Sequence, residues 1–336
     1  EKTTSNPTKK RIIDCQKTLW DKHPEEKYRR PCLEKTVKYP ITDYINLTSY
    51  SRALKKTIKL KTYMFLPDET KFKDFRAVVY IFHGMAGHSN SLAIIAKRFT
   101  EIGCICVAHD YRGHGLSEGS VKDIESFEDL ISDSNVFINE TENYLRKKYL
   151  VENNEKSIEF VSNKFICGMS LGGLLCFYLS VDNPKMFKGV IFLCPAVDTH
   201  EGGCMKFLVS MVACCCPGIQ LPKNTKESLE CKNPAYFEEK DPLIFDYNAT
   251  FRTGDIIVCK MKEVQELFGK YEAPMVIVIP GVDKMVPAPK MYEFFEKSNS
   301  QNKEVHFYEN MWHNVYAEQE VVEISERLAK WIEERS

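Results

Sequence analysis

The stretch Lys164-Phe165-Ile166-Cys167-Gly168-Met169-Ser170-Leu171-Gly172-Gly173 constrains this chain more than any other. An apolar run of strand formers (Phe160-Val161, then Phe165-Ile166-Cys167) enters Gly168-Met169-Ser170-Leu171-Gly172. An apolar helical pattern then leaves through Leu174-Leu175-Cys176-Phe177-Tyr178-Leu179. Strand, G-x-S-x-G and helix in that order predict a nucleophile elbow, a tight turn that lifts a serine hydroxyl clear of the backbone. Residues two before and two after the serine come too close together for side chains, so both are glycine. The helix starting there aims its free N–H groups and positive dipole end at any negative charge that develops beside Ser170.

Around this turn, buried strands and amphipathic helices alternate. Ala77-Val78-Val79-Tyr80-Ile81-Phe82 is a continuous β-branched and aromatic run, as in a strand buried on both faces. Leu92, Ile95, Phe99 and Ile102 then share a helix face, and Cys104 to Asp110 is the next strand. A long helix carries Phe127, Leu130, Ile131, Phe137, Ile138 and Leu145 towards the core. Beyond the elbow come strands at 189–195, 274–280 and 303–308, a helix around 264–271, and a closing helix with Ala317, Val321, Ile324, Leu328 and Trp331 on one face. This alternation predicts the α/β class, with a mostly parallel central sheet, right-handed crossovers and flanking helices. Ahead of it, alternation near 44–47 and over 57–66 predicts an antiparallel strand pair ending at Pro67. The expected division is a polar N-terminal extension over 1–40, a first part of the core over 41–195, an inserted cap over 196–253, and a second part of the core over 254–336.

Composition narrows the partners. A formal net charge of −1 over 336 residues offers nothing to nucleic acid. No run reaches the roughly 18 apolar residues of a membrane span. The chain begins at Glu1, and a missing targeting signal does not choose between a cytoplasmic and an exported protein. Thirteen cysteines lack metal-ligand spacing, and no cofactor motif is present. Cys104, Cys106, Cys167 and Cys194 lie in apolar runs, where buried free thiols are common, so a reducing compartment is expected, with Cys15/Cys32 as a candidate exception. Asn46, Asn139 and Asn248 fit the glycosylation triplet, a pattern frequent by chance.

Chemistry in open α/β sheets sits beyond the carboxyl ends of the strands. Asp283 stands just past the 274–280 strand, in Gly281-Val282-Asp283-Lys284. A buried carboxylate there needs a hydrogen-bond donor, and orienting an imidazole supplies one. The rival acids Asp241, Asp246 and Asp255 fall after the break in alternation. His313 lies between the last strand and the last helix, where the general base of a Ser, Asp, His order belongs. His83, His88, His109 and His114 precede Ser170, His23 and His200 lie in irregular polar stretches, and His306 is inside a strand. Two backbone N–H groups, from Leu171 and from Met85 in His83-Gly84-Met85, are the expected oxyanion hole.

Together these residues resemble the α/β-hydrolase family, in its monoacylglycerol lipase and lysophospholipase branch (serine aminopeptidase S33-type). His83-Gly84-Met85-Ala86-Gly87-His88-Ser89 resembles that branch's HG-x-x-x-HS loop. Tyr111-Arg112-Gly113-His114-Gly115-Leu116-Ser117-Glu118-Gly119 is similar to its GHG-x-S-x-G turn. Gly168-Met169-Ser170-Leu171-Gly172-Gly173 matches its elbow, with Leu171 where Met is usual. The Cys-rich cap and Lys-rich composition look like the lysophospholipase-like esterases of malaria parasites. The resemblance implies an α/β-hydrolase fold with a helical cap, and a serine ester hydrolase acting on a lysophospholipid or monoacylglycerol through Ser170, Asp283 and His313.

Within that resemblance, the nearly all-apolar Cys204 to Cys216 reads as a lid helix for an acyl chain or transient contact with a membrane surface, or equally as a buried cap helix. Cys214-Cys215-Cys216 is a candidate S-acylation site. Three other readings stay open. A small-ester carboxylesterase would cleave short esters only. A prolyl iminopeptidase-type peptidase would need acidic groups such as Glu238-Glu239 to hold a free amino terminus. A silent binding protein on the same scaffold would leave Ser170 unreactive towards a fluorophosphonate.

Overall fold

The computed structural model describes residues 44–72, 74–121, 123–150, 159–221, 243 and 249–336. The polar extension, Cys15/Cys32, Glu238-Glu239, Asp241, Asp246 and Asn248 lie outside them.

A short hairpin of β1 (Thr48–Ser51) and β2 (Lys56–Lys59) precedes the main sheet. Among the described residues the main sheet holds seven strands: β3 (Thr62–Phe65), β4 (Val78–Phe82), β5 (Ile105–His109), β6 (Lys164–Met169), β7 (Gly189–Leu193), β8 (Met275–Pro280) and β9 (Lys303–Tyr308). Their spatial order is β3-β5-β4-β6-β7-β8-β9. Only β3 runs antiparallel to its neighbour; β5 through β9 are parallel. One sequence expectation changes here. The alternating run 57–66 is not one arm of a hairpin: its first half pairs with β1, and its second half joins the edge of the main sheet beside β5. The local pattern does not reveal this division: β2 buries Ile58 alone, while β3 is buried along its whole length because it lies against β5.

Helices α1 (Ala93–Glu101), α2 (Phe127–Leu150), α3 (Leu171–Ser180), α4 (Gly203–Cys215), α5 (Phe251–Leu267), α6 (Ala288–Lys297) and α7 (Val321–Glu333) flank or extend the sheet. The helix expected around 264–271 instead begins at Phe251, where the Thr250 hydroxyl accepts from the Thr253 N–H and caps it. Helix α1 packs on α7, and α3 lies against β4, β6 and β7. All residues of β4, β5, β7 and β8 are buried, as parallel strands covered on both faces must be. Trp331 of α7 fills the hollow left by Gly189 and meets Phe165 edge to face, 6.1 Å between centroids.

Central β6 lies between β4 and β7. Because these strands are parallel, the loops leaving β4, β6, β7, β8 and β9 all emerge at one end. That end therefore gathers residues 83–89, 170, 194, 283 and 313, far apart in sequence. Among the described residues, no helix is long and apolar enough to cross a membrane.

Candidate active site

Ser170 follows β6 and precedes α3, with φ 53° and ψ −113°. A positive φ is strained for a non-glycine residue, and the surroundings impose it. A Cβ on Gly168 would collide with the Gly172 carbonyl, and one on Gly172 would strike the Phe82 carbonyl. The glycines therefore let α3 pack hard against the end of β4. The serine main chain is bonded on both sides: its N–H donates to the Leu193 carbonyl at 2.9 Å, and its carbonyl accepts from Ala196 at 3.0 Å and Leu174 at 3.0 Å. A Cβ on Gly84 would lie 3.5 Å from that of Ser170, so the loop after β4 runs beside the elbow. Met85 stands half-buried in this loop, and Leu171 is the first residue of α3.

Asp283 and His313 meet. His313 Nδ1 donates to Asp283 Oδ2 at 2.7 Å, both side chains being nearly sealed from solvent. The other carboxylate oxygen accepts from the N–H groups of Met285 at 2.7 Å and Val286 at 2.8 Å. These bonds satisfy the buried carboxylate and orient the imidazole so that, in its neutral form, the lone pair lies on Nε2. Burial by itself would pull the His313 imidazole below its ordinary range. The Cys194 sulfur and the Asp283 carboxylate oppose burial, and the net direction is well upward. Burial also raises the Cys194 thiol and keeps it protonated, so the carboxylate is the charge responsible. Cys194, Asp283 and His313 offer ligand-type atoms within 4.8 Å of one another, yet the acid and imidazole are already committed to hydrogen bonds.

The sites set aside on sequence divide in two. Asp255 accepts from the Ser210 hydroxyl, within the α4–α5 pair. His200 proves close to the acid loop, where its Nε2 donates to the Asp283 carbonyl at 2.9 Å. Irregular flanking sequence hid that contact.

The structure also assembles a polar cluster that motif reading passed over. Asp110, fully buried at the end of β5, accepts from the Tyr63 hydroxyl at 2.7 Å, Ser89 N–H at 2.8 Å and Leu116 N–H at 2.9 Å. One carboxylate thereby joins β3, the far end of the 83–89 loop and the glycine-rich turn. The near end of that loop is held by His83, whose Nδ1 donates to the Gly84 carbonyl at 2.8 Å while Nε2 accepts from Tyr111 N–H at 3.1 Å. Burial, reinforced by His114, pushes the His83 imidazole well down, and burial brings His109 down to about 4. The glycine-rich turn gave the one sequence signal: a Cβ at Gly115 would collide with the Asp110 carboxylate.

With this geometry in place, the chain can be set beside known proteins. A family model described as serine aminopeptidase, S33 matches residues 73–320. Human monoglyceride lipase is 22% identical over 267 residues, covering 78% of this chain and 84% of that protein. The monoacylglycerol lipase of Mycolicibacterium smegmatis is 21% identical over 265 residues, covering 77% of this chain and 89% of its own. A crystal structure of Paleococcus ferrophilus monoacylglycerol lipase superposes with a TM-score of 0.68 at 20% identity, covering 82% of this chain and 99% of that one. A soluble variant of monoglyceride lipase from Saccharomyces cerevisiae, in complex with a substrate analog, reaches 0.70 at 15% identity, covering 89% and 99%. The solved structures share the α/β-hydrolase fold, and the family model spans most of the chain. The chain belongs to the serine aminopeptidase S33 family, as an α/β-hydrolase similar to the monoglyceride lipases.

Proposed function

We propose that this chain is a serine ester hydrolase acting on lipid esters, a monoacylglycerol or a lysophospholipid, through an acyl-enzyme on Ser170. The observation that carries the reading is the sealed Asp283–His313 hydrogen bond at the same sheet end as the strained Ser170. His313 takes the Ser170 proton through Nε2 as the oxygen attacks the ester carbonyl. The N–H groups of Leu171 and Met85 hold the oxyanion, each worth on the order of 10²–10³ in rate. Asp283 orients the imidazole and stabilises it when charged. Collapse breaks the carbon–oxygen bond, His313 protonates the departing alcohol, and water activated by the same histidine releases the fatty acid.

Two features support a lipid rather than a small ester. Helix α4 buries none of its residues and exposes Met205, Phe207, Leu208 and Met211. Val282 and Met285, flanking Asp283, are also exposed apolar groups at the site end of the sheet. In this proposal residues 196–253 form the cap between the two parts of the core, and α4 is its contact with lipid at a membrane surface.

The test is hydrolysis of a monoacylglycerol, a lysophosphatidylcholine and a short nitrophenyl ester by wild type and Ser170→Ala. Ser170-dependent release of fatty acid from either lipid is expected and ranks the head groups. Cleavage of the short ester alone would replace the lipid reading with a small-ester carboxylesterase. Turnover of aminoacyl amides in place of esters would overturn the ester reading altogether.

A further inference from the structure

Cys194 has no part in the acyl-transfer steps, yet it stands between the two groups that perform them. It directly follows β7 and is fully buried, with φ at 40°. Among the described non-glycine residues it shares a positive φ with Lys55, Ala86 and Ser170. A left-handed conformation costs a side-chain-bearing residue about 1 kcal/mol or more, so the surroundings must hold it there. They do so from three directions. The Cys194 N–H donates to the Val278 carbonyl on β8 at 3.0 Å. The preceding carbonyl, that of Leu193, accepts from the Ser170 N–H at 2.9 Å. The thiol donates to the His313 carbonyl at 3.1 Å.

We propose that Cys194 is a positioning residue. Its S–H bond to the His313 main chain, one residue from the Leu193 bond to Ser170, sets the separation between nucleophile and base. His313 sits on the loop between β9 and α7, held locally by Val315 N–H donating to the same carbonyl at 2.9 Å. That bond shapes the loop within itself; the thiol bond fastens it to the end of β7. An extended conformation at residue 194 would carry the sulfur away from the His313 carbonyl, which gives the unusual backbone a purpose. The inference rests on Ser170 and His313 being nucleophile and base.

Three substitutions separate the donor from the backbone. Cys194→Ser keeps a donor of similar size and the same φ demand. Cys194→Ala removes the donor alone. Cys194→Gly removes the donor and also relieves the left-handed strain. The assay is kcat and KM across pH on a short nitrophenyl ester, with thermal melts and fluorophosphonate labelling of Ser170 on every variant. The serine variant should stay within about threefold of wild type in kcat. The alanine and glycine variants should lose about tenfold or more in kcat with KM within about twofold. Their acid limb should also move to lower pH, as a looser imidazole feels Asp283 less. Wild-type kcat in the folded alanine or glycine variant overturns the proposal, as does a serine variant that falls as far as they do. If alanine melts below the assay temperature, glycine, which tolerates the conformation, gives the answer. A wild type that fluorophosphonate does not label at Ser170 would sink the catalytic reading itself. Labelled wild type with an unimpaired alanine variant sinks only the role of Cys194.

Discussion

Lowering the pH from 7 to 5 should destabilise this protein, and His109→Phe should remove a calculable share of the loss. His109 is fully buried, its ring centroid 4.7 Å from that of Phe137, 5.5 Å from Tyr111 and 6.0 Å from Phe82. Nδ1 makes one long hydrogen bond, 3.3 Å to the Asp110 carbonyl, and Nε2 has no partner among the described residues. Burial therefore holds the imidazole neutral, with its pKa at about 4 rather than the ordinary 6.5. The unfolded chain takes up a proton below pH 6.5 that the folded chain refuses until about pH 4, so stability falls as pH falls through that window. Integrated from pH 7 to pH 5, the loss is about 2 kcal/mol for this residue. His83, pushed down by burial and by His114, adds a loss of the same sign. His313 has the opposite sign. Its raised pKa contributes stability fully present below the unfolded value and lost as pH rises through the folded one. Across pH 7 to 5 it offsets less than about 1 kcal/mol. Urea unfolding at both pH values, followed by circular dichroism, measures the difference. The Phe variant should lose about 2 kcal/mol less than wild type, and its packing cost cancels because it is the same at both pH values. Equal losses in the two proteins would refute the claim that His109 is buried neutral.

Three other outcomes follow from the site. Asp283→Asn should lower kcat by about 10³–10⁴-fold, because an amide can present its NH₂ to Nδ1 and favour the wrong tautomer. The acid limb of its kcat/KM profile should move to lower pH, since the carboxylate that raises His313 is gone. Asp110→Asn turns at least one of the donors from Tyr63, Ser89 and Leu116 against an NH₂ group. It should cost about 1–3 kcal/mol in a thermal or urea melt and lower kcat more than it raises KM, because the 83–89 loop loses its anchor. Phe207→Ser combined with Leu208→Ser should weaken sedimentation with phospholipid vesicles and slow lipid hydrolysis, while short-ester turnover stays at the wild-type level.

The elbow was legible in the sequence because sterics leave few choices: only glycine fits at 168 and 172, where carbonyls of Gly172 and Phe82 close in. The parallel sheet was legible because strands covered on both faces read as unbroken apolar runs, as in Val78–Phe82 and Met275–Pro280. The positions of Asp283 and His313 were readable from strand ends and chain order. Other features depend on partners distant in the chain. The run 57–66 divides between two sheets because β5, not the local pattern, offers Thr62–Phe65 an edge. Asp110 looked like any polar residue ending a strand until Tyr63, Ser89 and Leu116 were brought to it. Cys194 looked like any buried thiol in an apolar run until its positive φ turned the sulfur towards His313. Local sterics and periodicity thus determined, from sequence alone, the elbow, the fold class and the strand ends where chemistry can sit. Which hydrogen bonds connect those ends was decided only by tertiary packing, because each joins groups tens to more than a hundred residues apart, whose approach no local pattern encodes.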